Sequence, residues 1–382
     1  MARGSSQRTG TPQSAKSVPS VVPHPIPANI ETSLETACLP VTLDRYIRQM
    51  RYAPLGEAGQ RKLAAARVLL CGCGALGSVL ANTLVRSGVG FVRLVDRDFL
   101  ELNNLQRQVL FDEDDVRAEL PKAIAATEKL RRINSQVEIE PLVVDIDATN
   151  IEKLSADVDM ILDGTDNFET RFLINDVAVK RGLPWVYGGV IGSEGQTMTI
   201  LPGESACLRC LMSEPPPPGA TPTCDSAGIL APIVNVIASM EANEAIKILS
   251  GNAKAASRFL TVFELWENRI RQIDVSKLRD SVDCPACKRG ELAWLDGQRA
   301  SQSAVLCGRN AVQLSPPQPT AISLDAMQAK LAGIGRVTRN KYLLRLAVDD
   351  YLITLFPDGR AIVGGTDDIA AARTVYAKYV GS

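Results

Sequence analysis

Val68-Leu69-Leu70-Cys71-Gly72-Cys73-Gly74-Ala75-Leu76-Gly77 decides the fold of this chain. An apolar run enters a G-x-G-x-x-G loop, a helical pattern comes next, and a second apolar run, Phe91 to Val95, ends in Asp96. In such a unit the glycines permit a tight turn and close backbone approach, the helix N-terminus attracts phosphate, and the acid reaches ribose hydroxyls. Gly72, Gly74, Ala75, Gly77 and Asp96 are therefore candidate nucleotide contacts. Taken alone, the unit predicts an NAD or FAD enzyme. The adjoining stretch departs from that reading: Asp96-Arg97-Asp98-Phe99-Leu100-Glu101-Leu102-Asn103-Asn104-Leu105-Gln106-Arg107-Gln108 places a polar, Arg-containing loop beside the phosphates. A nicotinamide site has no need of it.

Outward from this unit, apolar strands alternate with helical segments: Val68 to Cys71, Phe91 to Asp96, Val137 to Val144, Met160 to Asp163, Trp185 to Val190 and Gln196 to Leu201. The alternation predicts an α/β fold with a doubly wound, mainly parallel, Rossmann-like sheet. A turn centred on Gly195 would pair the last two strands as a hairpin. Residues 1–40, rich in Pro and Ser, read as a disordered tail, and 41–295 as the catalytic body. Pro215 to Pro218 and Pro222 make a loop that delivers Cys224, and an apolar helix over Ile229 to Leu249 stops at Gly251. Residues 296–382 read as a small α+β domain. Its elements are a Ser323-capped helix over Leu324 to Leu331, strands Tyr342 to Val348, Tyr351 to Phe356 and Arg360 to Val363, and a last helix from Asp367 to Tyr379.

Composition excludes several functions. With 42 Lys+Arg against 43 Asp+Glu the formal charge is -1, which supplies no global basic field for nucleic acid. No apolar stretch approaches the roughly 20 residues that span a membrane. The one histidine, His24, lies in the tail, so the body has no Ser-His-Asp or Cys-His catalysis and no His-ligated zinc of its own. The nine cysteines include two matched pairs, Cys207-x-x-Cys210 and Cys284-x-x-Cys287. Odd count and CxxC pairing point to a reducing, cytoplasmic compartment. The four thiolates suit a tetrahedral structural zinc with no open position for a catalytic water. A thioredoxin-like redox pair is the alternative, although neither CxxC opens a βαβ unit.

From Asp44 to Lys288 the chain resembles the ThiF/MoeB/HesA adenylyltransferases, relatives of the adenylation domain of ubiquitin-activating enzymes. Arg45-Tyr46-x-Arg48-Gln49, the glycine loop, Asp96-x-Asp98, Asn104-Leu105-Gln106-Arg107-Gln108, Pro121-Lys122, Thr165-Asp166-Asn167, Thr223-Cys224 and the paired CxxC carry the match by order and spacing. The resemblance implies activation, with ATP and magnesium, of the C-terminal carboxylate of a small ubiquitin-like sulfur carrier ending in Gly-Gly. That serves molybdopterin or thiamine biosynthesis, with a cysteine desulfurase or rhodanese as sulfur donor. Arg107 and Lys122 would supply charge at the phosphates, Arg48 would reach those of a partner subunit in a homodimer, and Asp166 would hold magnesium. Asp98, Asn103, Asn104, Gln108 and Asn167 would line the nucleotide. Cys224 matches a cysteine that bonds covalently to the carrier in some relatives and is dispensable in others. Each charged residue also has a plainer reading as solvated surface, and Asp166-Asn167 as a turn or helix cap. Ala75 departs from the family's usual glycine: a methyl is harmless if the contact is a backbone amide, costly if the phosphate needs the space. The acidic segment between Arg107 and Lys122 would adjust which carrier docks. Two rivals stay open: an NAD-dependent oxidoreductase and a non-catalytic scaffold for a ubiquitin-like partner.

Overall fold

The computed structural model describes residues 42–216, 227–299, 303–306 (backbone only), 310–316 and 321–381. The expectations for the 1–40 tail and Cys224 lie outside those residues. Strands β1 (Arg67–Cys71), β2 (Phe91–Val95), β3 (Glu138–Leu142), β4 (Met160–Asp163) and β5 (Trp185–Ile191) pair in parallel. Strands β6 (Glu194–Ile200), β7 (Phe259–Glu264) and β8 (Arg269–Asp274) continue the sheet antiparallel, in the order β3-β2-β1-β4-β5-β6-β7-β8. The expected doubly wound sheet is present, and the β7–β8 hairpin adds to it.

Val68, Leu69 and Leu70 are fully buried because both faces of the sheet are covered. Val68 and Leu70 join one core with Leu76, Leu80 and Leu84 of helix α2 (Ala75–Ser87), which comes after α1 (Gly56–Ala65). That core also takes in Ala123, Ala126 and Leu130 of α3 (Lys122–Ile133). Leu69 and Cys71 face the opposite core, with Phe172, Ile174 and Val177 of α4 (Phe168–Arg181). A run without polar alternation is what a strand covered on both sides requires.

The hairpin turn differs from expectation. It falls at Gly192-Ser193, while Gly195 sits inside β6 opposite Val190. Gly195 is there for space: a Cβ would lie 2.4 Å from Ile237 Cγ1 of α5 (Ala231–Leu249), which packs directly on β6. The C-terminal domain holds a six-stranded antiparallel sheet: β9 (Ser303–Leu306), β10 (Ala311–Leu314), β11 (Arg336–Arg339), β12 (Leu344–Val348), β13 (Tyr351–Leu355) and β14 (Ala361–Gly364). Helices α6 (Leu324–Leu331), capped by Ser323, and α7 (Ile369–Tyr379), capped by Asp368, complete it. Among the described residues no helix is long and apolar enough to cross a membrane.

Glu241 of α5 is fully buried against Gly188, where a Cβ would lie 2.0 Å from Glu241 Oε1. Among the described residues neither carboxyl oxygen has a hydrogen-bond partner. Burial, with Asp163 adding and Arg171 opposing, pushes this carboxyl well above its ordinary value of 4.5. The folded chain therefore keeps a proton that the unfolded chain releases as the pH rises past that value. Stability from this group is complete below it and falls by up to about 1.4 kcal/mol per pH unit above it, until the folded group ionises. Denaturant titrations at successive pH values should show a flatter slope in Glu241→Gln; an unchanged slope would mean that Glu241 is ionised in the fold.

Candidate active site

The chain runs from β1 out to β3 and returns to β4 on the other side, so the strand order reverses between β1 and β4. In open α/β sheets the crevice at the carboxyl ends of such strands takes ligands. Three glycines shape this point. A Cβ on Gly72 would lie 2.6 Å from the Gly164 carbonyl oxygen, and one on Gly77 would lie 2.1 Å from that of Gly72. Gly72 also holds a φ of 90°. Gly164, which the sequence motifs did not single out, would place a Cβ 2.9 Å from Gly77 Cα. The signal for it was the Asp163-Gly164-Thr165 stretch, a second glycine at a strand end.

The crevice is built to receive an anion. Gly74, the N-cap of α2, offers no side-chain cap, so the first N–H groups of that helix stay open toward a ligand. The nearest atom to a Cβ on Gly74 would be Gln108 Nε2 at 3.9 Å. Ala75 is the first helical residue and its methyl packs against the core beneath the helix. Asp96 binds the glycine loop: Cys73 N–H donates to its Oδ2 at 2.6 Å and Asp98 N–H to its Oδ1 at 2.7 Å. Burial pushes the Asp96 carboxyl up, against the pull of Lys122. Lys122 Nζ, only 4% exposed as a residue, lies 3.1 Å from Asp98 Oδ2, and Lys122 N–H donates to the Asp98 carbonyl at 2.9 Å. Cys71 and Cys73 are buried thiols held well above their usual range, by burial first and then by Asp163 and Asp96 respectively.

The other predicted residues divide. Arg107 donates to the Asn103 carbonyl at 2.9 Å, and Asn104 is buried, with its Nδ2 donating to Asn103 Oδ1 at 2.8 Å. Asn167 caps α4 by accepting from Thr170 N–H at 2.8 Å, while Asp166 beside it is exposed. The plainer reading as a cap thus holds for the Asn167 oxygen. In the Arg45–Gln49 segment, Tyr46 is buried and accepts from Asn134 Nδ2 at 2.8 Å, Arg45 bonds Asn134, and Gln49 donates to the Ser87 carbonyl at 3.0 Å. These anchor the segment and leave Arg48 exposed. Sequence reasoning missed Arg171, whose guanidinium donates to Asp163 Oδ2 at 2.9 Å and to the Thr165 and Gly188 carbonyls at 2.8 Å. That fork sets the start of the Thr165-Asp166-Asn167 loop.

Away from the crevice the four predicted thiols converge. Their sulfurs all lie within 4.8 Å of one another, with Cys207–Cys210 at 3.8 Å, Cys207–Cys284 at 3.6 Å and Cys210–Cys287 at 3.5 Å. A tetrahedron with Zn–S bonds of about 2.3 Å separates its sulfurs by about 3.8 Å, so the donor set fits zinc.

Residues 46–286 match the model of the ThiF family. The chain belongs to that family. The ThiF-family relatives include the Bacillus subtilis (strain 168) protein called sulfur carrier protein ThiS adenylyltransferase, 44% identical over 338 residues, 88% of this chain and 99% of that one. A Thermus thermophilus sulfur carrier protein adenylyltransferase is 38% identical over 250 residues, 64% of this chain and 90% of that one. A crystal structure of E. coli MccB with ATP superposes with a TM-score of 0.55 at 25% identity, covering 64% of this chain and 73% of that one. With these relatives the chain is an adenylyltransferase of the ubiquitin-activating type.

This geometry has two measurable outcomes. Gly164→Ala should lower stability by about 1–3 kcal/mol, because the added methyl has only backbone to push against; a melting temperature equal to the parent's would refute the close contact. Purified protein should carry one zinc per chain by elemental analysis. Cys284→Ser should lose it and melt earlier, whereas retained metal would place the zinc elsewhere.

Proposed function

We propose that this chain uses ATP to adenylate the C-terminal glycine of a small ubiquitin-like sulfur carrier, releasing pyrophosphate. The observation that carries the reading is an uncapped helix N-terminus behind the glycine loop with Lys122 at the same crevice. The names of the Bacillus and Thermus relatives support the carrier as substrate, and the Bacillus name favours a ThiS-like carrier and thiamine synthesis over molybdopterin.

Chemically, a glycine carboxylate oxygen attacks the α-phosphorus, the α–β bridging bond breaks, and its electron pair leaves with pyrophosphate. A carboxylate is a poor nucleophile, so positive charge on the phosphates must lower the barrier. Lys122 and Arg107 supply it from this chain. The open N–H groups of α2 hold phosphate oxygens, with Gly72, Gly74, Ala75 and Gly77 keeping the backbone near. Asp96 and Asp98 face the ribose side, and Asn103, Asn104 and Gln108 line the phosphates with the Asn167 amide. Asp166, exposed and acidic, suits magnesium, a hard cation that neutralises phosphate charge when bound. Arg48, anchored at its neighbours and exposed itself, would enter the site of a second copy. The carrier acyl-adenylate would then meet a sulfur donor.

Carrier-dependent exchange of radioactive pyrophosphate into ATP tests the activity. Exchange should require the carrier's terminal glycine and fall about 100-fold or more in Lys122→Ala. Absence of exchange with every Gly-Gly carrier would overturn the reading. Arg48→Ala and Asp166→Ala, each inactive alone, should recover roughly a quarter of the activity when mixed, since half the dimers would be mixed and one of their two sites intact. No recovery would place Arg48 in its own subunit's site.

A further inference from the structure

The adenylation chemistry leaves the C-terminal domain without a task, yet that domain grips the nucleotide crevice at three points. Phe99, one residue beyond Asp98, is buried with Leu343 and Phe356, its ring centroid 5.4 Å from that of Phe356, and the Arg345 guanidinium lies 6.0 Å over it. Glu119, three residues before Lys122, is held twice: Asn340 Nδ2 donates to its carbonyl at 3.1 Å and Arg345 pairs with its carboxylate. Gln313 Nε2 donates to Asp145 Oδ2 at 2.7 Å, and the same Asp145 accepts from Arg97 Nη1 at 2.9 and 2.8 Å.

Two of these contacts fall directly on the two segments that present Lys122, and the third reaches them through Asp145 and Arg97. Residues 96–99 and 119–122 are already joined by the Phe99–Pro121 bridge and the two Lys122–Asp98 bonds. Glu119 holds a φ of 50° as the residue that ends the short helix Glu113–Arg117, where its N–H donates to the Val116 carbonyl at 3.1 Å and Leu120 N–H to that of Asp115 at 3.3 Å. Asn340 and Arg345 hold this helix end from the C-terminal domain, two residues before the chain enters α3 at Pro121 and Lys122.

We propose that the C-terminal domain is a brace for the nucleotide pocket: Asn340, Arg345 and Phe356 are positioning residues that fix Lys122 and the Asp96–Phe99 loop before ATP arrives. This rests on the nucleotide reading above. A pocket organised in advance loses less freedom on binding, so the brace acts on ATP affinity and leaves carrier affinity alone.

The test uses the full-length protein and calorimetric binding of α,β-methylene-ATP, which needs no carrier. Asn340→Ala/Arg345→Ala should weaken binding about fivefold or more and raise the KM for ATP in parallel, with the KM for carrier within about twofold. Arg345→Lys, which keeps the charge on Glu119, should restore most of the affinity. Leu331→Ala, in the C-terminal core away from these contacts, should lower the melting temperature and leave ATP affinity unchanged. Should the double variant not fold, Phe356→Leu reads the same quantity. Unaltered ATP affinity in the contact variants, or an equal loss in Leu331→Ala, overturns the brace. Failure of the parent protein to bind the analogue would overturn the nucleotide reading itself.

Discussion

The contact on which the structure turns is backbone against backbone: the loop after β1 meets the loop after β4 with no side chain between them. Gly72, Gly77 and Gly164 make this possible, and each would drive a Cβ to within 3 Å of another's main chain. The consequence is positional. Helix α2 starts directly over the end of β4, so its open N–H groups and the Thr165-Asp166-Asn167 loop border one crevice. Arg171 secures the other side, since its guanidinium reaches the end of β4 through Asp163 and Thr165 and the middle of β5 through Gly188. Such a cation tolerates burial because its Nε and Nη2 find three acceptors, one of them a carboxylate.

Helix α4 ties this crevice to the cysteine cluster. Its first turn carries the Asn167 cap and Arg171; two turns later Asn175 Oδ1 accepts from Leu208 N–H at 2.8 Å, inside the first CxxC. Asp176 accepts from Trp294 N–H at 3.0 Å, in the segment after the second CxxC, with Arg209 Nη1 3.7 Å away. Burial pushes this carboxyl up to about 6, against the Trp294 N–H and Arg209. A metal held by the four thiols would therefore fix what α4 leans on, and α4 positions the loop bordering the crevice. That gives a structural metal a reason to exist in a site that has no open coordination position.

What could be read from the sequence is what short-range physics dictates. Met160 to Asp163 is a strand with the expected ends because an apolar run between turn residues has few alternatives, and Ser323 caps its helix as expected. The paired CxxC told of convergence because thiolate chemistry sets both spacing and geometry. Gly195 was misread as a turn because glycine marks turns and close approaches alike, and only the passage of α5 over β6 separates the two. Arg171, Glu119 and Glu241 were silent for a related reason. Arg171 joins Asp163 and Thr165 to Gly188, 17 residues on, Glu119 is held by Asn340 and Arg345, and Glu241 packs on Gly188, pairings that no local pattern announces. The β7–β8 hairpin escaped notice because β8 is exposed along its whole length and shows no buried alternation.

The distribution of charge around the crevice gives the arrangement its direction. Burial alone would lower the Arg97 and Arg171 guanidiniums, yet Asp145 and Asp163 respectively, with Asp166 adding to both, hold them above their ordinary value. Each of these cations is already matched by a bonded carboxylate, Arg97 by Asp145 and Arg171 by Asp163. Asp166 is therefore near two arginines without being neutralised by a bond to either, and it faces solvent. Its position sets an exposed carboxyl group at the mouth of a crevice whose floor, made of helix N–H groups, is positive. On the proposed nucleotide reading, a polyphosphate drawn to that floor would meet a carboxylate at the rim, and a hard divalent cation held by both would relieve the repulsion. The brace enters the same balance through Asp145: it accepts from Gln313 as well as Arg97, so the C-terminal domain shares in holding the cation that flanks Asp166.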